Sequence, residues 1–156
     1  MNDIVYIHYG HGAYVKPKTI VNKIWGTKPC GGLWASRKDD SGEHYYSWRL
    51  WCQRNEFRLD SFDTSFEFTL KENARVLELN DKGQLKDLPK LQPYNQNDQY
   101  SECSLDFEKL MEQYDAIEIT NISKLYWALY GWDCDCILIM NPDIVEFCHN
   151  KKQVDA

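Results

Sequence analysis

In CDCILIMNPDIV, residues 134–145, an unbroken apolar run from Ile137 to Met140 ends at Asn141-Pro142. A strand with one wet face alternates polar and apolar residues, whereas an unbroken run is covered on both faces. This stretch therefore reads as a central strand, and as the last strand of the chain. Just before it, DAIEIT (115–120) alternates as a strand does. SLDFEKLMEQY (104–114) offers a serine that can cap, apolar residues at 105, 107, 110 and 111, and acids in its first turn, which predicts a helix.

Upstream, SFEFTL (65–70) and ARVLELN (74–80) share the two-residue period and form two strands or one strand pair. KGQLKDLP (82–89) begins a short helix or turn, and the polar, aperiodic KLQPYNQNDQYSECS (90–104) a mobile loop. DIVYIHYG (3–10) has the β-branched and aromatic residues of a strand, with Gly10 and Gly12 closing it. VKPKTIVNKIWGTKP (15–29) reads as irregular chain, GGLWAS (31–36) as a short strand, and EHYYSWRLWCQRN (43–55) as a helix packed on the sheet. Strands with helices inserted among them make an α+β domain. Its 156 residues suffice for one core, so residues 1–156 read as a single domain.

Apolar residues make up 43% of the chain and no window reaches the length of a membrane span, so the expectation is a soluble protein without a membrane partner. MNDIVYIHYG lacks the marks of a secretory signal, which points to the cytoplasm and to six reduced cysteines. There is no CxxC, and the four histidines at 8, 11, 44 and 149 are scattered, so no metal is expected. A net charge of −6 disfavours a broad phosphate-binding footprint.

Three places carry chemistry. His8, at a strand end before Tyr9 and Gly10, can hydrogen-bond a ribose hydroxyl while the nearby backbone approaches a ring amide. Gly31-Gly32 leads a strand on which Trp34 and Ser36 share a face, a pairing suited to a stacked ring whose amide needs a hydroxyl partner. The adjacent Tyr45 and Tyr46 cannot share one face, so one of them is free to line a cleft. Asp133 and Asp135 precede the apolar strand at a spacing that sends both carboxylates to the same face, where charge beside buried surface must be paired, solvated or used.

In this order the pieces resemble the ADP-ribosyltransferase fold of diphtheria toxin and the poly(ADP-ribose) polymerases. IHYG resembles its histidine motif, GGLWAS with YYSW its aromatic and serine motif, and YDAIEI with CDCILIMNPDIV its acidic motif and C-terminal strand. Trp34 stands where the polymerases place tyrosine, and Asp135 where glutamate is usual. The resemblance implies a split, mostly antiparallel sheet with a few flanking helices, and NAD as co-substrate. It implies that Tyr9, Gly10, Trp34 and Ser36 hold the nicotinamide end, that Tyr45 or Tyr46 stacks the ring, and that His8 orients a ribose. Asp135 would stabilise an oxocarbenium-like transition state as nicotinamide leaves. The activity implied is mono-ADP-ribosylation of a protein or nucleic-acid acceptor, chosen by the loop Pro89–Ser104. The alternative is a non-catalytic inhibitor that binds a nucleotide or a protein on the same scaffold. The chain as a whole also resembles a family of small bacterial and phage proteins, which implies no activity.

Overall fold

Residues 4–23, 26–40 and 45–147 are described by the computed structural model. Among them the strands are β1 (Tyr6–Tyr9), β2 (Leu33–Arg37), β3 (Ser65–Leu70), β4 (Val76–Leu79), β5 (Ala116–Ile119), β6 (Cys136–Ile139) and β7 (Val145–Phe147). They form one seven-stranded sheet in the order β4-β5-β6-β2-β1-β3-β7. Only β4 and β5 run parallel; every other neighbouring pair is antiparallel. With the helices α1 (Trp48–Asn55) and α2 (Phe107–Leu110) the domain is α+β. Among the described residues no helix is long and apolar enough to cross a membrane.

The apolar run of β6 has the predicted cause. Cys136, Leu138 and Met140 pack into one core with Ile117, Ile119, Leu125, Leu129 and Trp132. Ile137 and Ile139 pack through the other face with Tyr6, Leu33, Phe68 and Ile144. Both faces are dry, so no position between 136 and 140 can be polar without an unmet hydrogen bond. β2 joins the halves of the sheet. Its Leu33–Ala35 pair with β6, while Ser36 and Arg37 pair with β1.

The glycine pair ahead of β2 is explained by close approach of backbone. Both residues have positive φ, 81° at Gly31 and 79° at Gly32. A Cβ on Gly31 would run into the Thr19 carbonyl, and one on Gly32 would stand 2.6 Å from Leu138 Cδ1 and 2.8 Å from Ile20 Cδ1. The pair lets residues 18–20 close over the start of β2, where the Gly32 N–H donates to the Lys18 carbonyl at 2.9 Å.

Several expectations change. β6 is not the last strand: Asn141 caps a 3₁₀ turn at Pro142–Ile144, accepting from the Asp143 N–H at 3.0 Å, and the chain then adds β7 beside β3. The predicted helix over 104–114 is helical only at Phe107–Leu110, with Asp106 as its cap. Ser104 instead donates to the Gly26 carbonyl at 3.1 Å. SFEFTL and ARVLELN are two strands in opposite halves of the sheet, because β3 pairs with β1 and β7 while β4 pairs with β5. α1 begins at Trp48 with Ser47 as its cap; Tyr45 and Tyr46 precede it, and Glu43 and His44 lie outside the described residues.

Candidate functional site

β1 delivers His8 to the floor of a cleft of about 730 Å³. Its ring stacks on Phe66, its cross-strand partner on β3, at 5.0 Å, and on His11 at 5.1 Å. Nδ1 lies 2.6 Å from the Trp34 carbonyl oxygen, which can only accept, so Nδ1 carries the proton. Neutral His8 then presents Nε2 as an acceptor, and His11 Nδ1–H donates to it at 2.9 Å. Burial lowers the pKa of His8, opposed by the Trp34 carbonyl and assisted by His11, which keeps this tautomer neutral.

The walls come from the chain segments around β1 and β2. Trp34 stands edge to face against Trp132 at 4.8 Å, with Lys28 Nζ 5.4 Å above its ring. Trp48 opens α1 and stacks on Trp51 at 5.1 Å. Arg58 and Asp60 line the side beyond α1, and Asp133 lines the side before β6. Tyr9 and Gly10 border the same space. Gly10, at φ 103°, has its N–H bonded to the Thr64 carbonyl at 3.0 Å, and no atom lies within 4 Å of where a Cβ would stand. The site thus combines indole faces, two cations, two carboxylates and an imidazole acceptor.

Cys134 and Cys136 also line this cleft. A hydrogen bond to Cys136, together with burial, pushes the Cys134 thiol well above its ordinary pKa, so it is no thiolate nucleophile. Among the described residues no three His, Cys, Asp or Glu side chains converge as metal ligands.

His8, Tyr9, Gly10, Trp34 and Ser36 come together here, while Tyr45, Tyr46 and Asp135 line a second cleft of about 830 Å³. Asp133 and Asp135 part because residues 131–135 turn instead of extending: Gly131 has φ 103° and bends follow at 134 and 135. The Asp135 carboxylate accepts the Tyr46 N–H at 2.8 Å and the Ile122 N–H at 2.7 Å, and it is 2% exposed. Burial raises its pKa even against these two bonds. Tyr45 is a core residue whose hydroxyl lies 3.4 Å from Glu118, and Tyr46 keeps Arg54 at 5.9 Å from its ring. The Ser36 hydroxyl donates to the Asp135 carbonyl at 3.0 Å and accepts the Trp48 N–H at 3.0 Å, so its donor is engaged inside the fold.

Among the members that sequence reasoning missed are Lys28, Arg58, Asp60, Trp132 and His11, with Asp133 given the lesser part of its pair. Lys28, Arg58 and His11 sit in irregular chain and carried no periodic signal.

Glu118 anchors the neighbouring interior. Its carboxylate accepts Tyr6 Oη at 2.9 Å, Arg37 Nε at 2.9 Å and Arg37 Nη2 at 3.1 Å. The tyrosine hydroxyls of Tyr6 and Tyr45 are held protonated chiefly by burial and then by this carboxylate. With its charge matched by Arg37 and its oxygens bonded, Glu118 acts as a structural tie between β5, β1 and β2.

No protein-family model, curated protein or solved structure matches this chain.

Proposed function

We propose that the His8 cleft binds NAD and that the chain is an NAD-dependent mono-ADP-ribosyltransferase built on an ADP-ribosyltransferase-like domain. The observation that carries this reading is the meeting of His8, Trp34, Trp48, Asp133 and the cations Lys28 and Arg58 in one cleft of about 730 Å³. Indole faces suit a flat pyridinium ring, and cations suit a pyrophosphate. A neutral imidazole whose Nε2 accepts a proton donor, here the His11 Nδ1–H, suits a ribose hydroxyl that takes the place of His11. The volume lies in the range of small-molecule sites. A sheet whose halves meet through β2, with a histidine on β1 and an aromatic on β2, agrees with the motif order read from the sequence.

In this reading the stacking role falls to Trp34 and Trp48, because Tyr45 and Tyr46 line the other cleft. The carboxylate role falls to Asp133, because both oxygens of Asp135 are held by backbone amides. As the glycosidic C–N bond breaks, nicotinamide leaves with the electron pair and positive charge builds on the ribose. A fixed carboxylate nearby stabilises that charge. The acceptor's nucleophile then bonds to the anomeric carbon and loses its proton to a base or to water. The engagement of Ser36 and Asp135 within the fold favours a second reading, a non-catalytic protein that holds a nucleotide or a partner in the same cleft.

Calorimetric titration with NAD and with ADP-ribose tests the reading. Binding of NAD that is lost in a Lys28→Glu/Arg58→Glu variant supports it. No heat with either nucleotide removes the cleft from nucleotide chemistry.

A further inference from the structure

Tyr100, Tyr126, Trp127 and Tyr130 are 59%, 50%, 44% and 50% exposed. Nevertheless they form one cluster. Trp127 lies parallel to Tyr130 at 5.7 Å and 10°, with Tyr126 edge-on at 5.0 Å and Tyr100, from the 90–104 loop, edge-on at 5.0 Å on Trp127. Large aromatic area in water is unfavourable unless something covers it, and a contiguous patch marks an interaction surface. This one is rigid. Leu125 and Leu129 are fully buried beneath it, the Cys103 N–H donates to the Ala128 carbonyl at 2.7 Å, and Thr27 Oγ1 donates to the Tyr130 carbonyl at 2.7 Å.

We propose that this platform docks an arginine- or lysine-bearing segment of a partner polypeptide. The faces of tyrosine and tryptophan rings carry negative potential and attract cations. Asp98, whose carboxylate accepts the Tyr100 N–H at 3.0 Å, and Glu102 stand two residues to either side of Tyr100, and within residues 124–130 the one cation is Lys124. The chain's net charge of −6 adds to the same bias. Single-stranded nucleic acid also stacks on aromatic platforms, but it needs a basic groove alongside for its backbone. The platform lies beside the His8 cleft: Tyr130 is followed through Gly131 by Trp132 and Asp133, which line that cleft. Its service as the docking surface for an ADP-ribose acceptor rests on the function proposed above, whereas the docking itself does not.

The test needs no NAD. The intact chain, labelled with a fluorophore, is incubated on an array of dodecapeptides graded in arginine and lysine content, with oligo-dT spots of similar length alongside. Signal should rise with the number of arginines and lysines and fall as salt is added. It should weaken about tenfold in Trp127→Ala/Tyr130→Ala, the size of one to two lost cation–π contacts, and fall also in Asp98→Lys/Glu102→Lys, where attraction of the cationic peptide becomes repulsion. If the aromatic variant does not fold, the charge-reversed variant decides alone, since both its positions are exposed. Signal independent of cationic content, stronger signal on oligo-dT, no signal, or binding unchanged in the folded variants each overturns the proposal.

Discussion

His8 occupies a position where one hydrogen bond fixes what its ring can do. The Trp34 carbonyl holds the proton on Nδ1, and burial opposes a second proton on Nε2. A histidine whose folded pKa is lowered contributes stability above the unfolded value of about 6.5, and that contribution is lost as pH falls through the lower folded value. A nitrogen-resolved NMR titration should therefore show the Nδ1–H tautomer at neutral pH and protonation of His8 below pH 6.5. NAD affinity should drop over the same interval, because protonated Nε2 is no longer an acceptor. A His8 that titrates above the ordinary range would contradict this. Trp34→Leu should weaken NAD binding by roughly 1 kcal/mol, about fivefold, the worth of aromatic stacking beyond burial. Tyr46→Ala should leave it unchanged. The reverse result in calorimetry would move the ring to the second cleft.

Between elements, the ends of strands are tied by side chains. Asp115, just before β5, accepts the Arg75 N–H at 2.9 Å, Arg75 Nη2 at 3.0 Å and Asn141 Nδ2 at 3.0 Å. Its carbonyl takes the Met140 N–H at 2.9 Å. One residue thus joins the approach to β4, the start of β5 and the exit of β6. The hydrogen bonds from Arg75 bring its carboxyl down to about 2. Since the folded pKa lies below the unfolded one of about 3.9, the stability it contributes is present above that value and lost as pH falls toward about 2. Asp115→Asn should cost on the order of 1–2 kcal/mol in urea melts at pH 7, a discounted figure because Arg75 is half exposed. The gap between wild type and variant should close below about pH 3. A gap constant from pH 7 to pH 2 would contradict the assignment. The elements also show what the sequence reveals and why. β6 is legible because two dry faces force a continuous apolar run. The separation of Asp133 from Asp135 is not, since on an extended strand they would share a face, and only the turn at Gly131 and the bends at 134 and 135 send them to different clefts. The helix expected over 104–114 is shorter in the fold, because the same apolar spacing also serves a short turn that buries Leu105, Phe107 and Leu110.

Across the whole molecule, the His8 cleft gathers residues from positions 7 to 136, which is why local patterns located some members and not others. His8, Trp34 and Ser36 were legible from strand position. Lys28, Arg58 and the choice of Asp133 depend on how distant segments meet. The loop Pro89–Ser104 stands apart from both clefts and is fastened at its base, where the Leu91 N–H donates to the Ser104 carbonyl at 2.8 Å. Replacing residues 93–99 by a Gly-Ser bridge should preserve nicotinamide release and abolish transfer to the acceptor. Loss of both would give the loop a structural role, and retention of both would leave acceptor choice elsewhere. In the proposed mechanism Asp133, in the cleft of His8, helps to break the glycosidic bond of NAD. Nicotinamide release from NAD by the wild type, Asp133→Asn and Asp135→Asn, each shown to be folded, tests it most directly. Release by the wild type is expected, with a fall of about 10²- to 10³-fold in Asp133→Asn and NAD affinity kept within a few fold, the cost of one transition-state contact. Asp135→Asn, after correction for its folded fraction, should release nicotinamide at near the wild-type rate. No release by the wild type, or equal rates in wild type and Asp133→Asn, would contradict it.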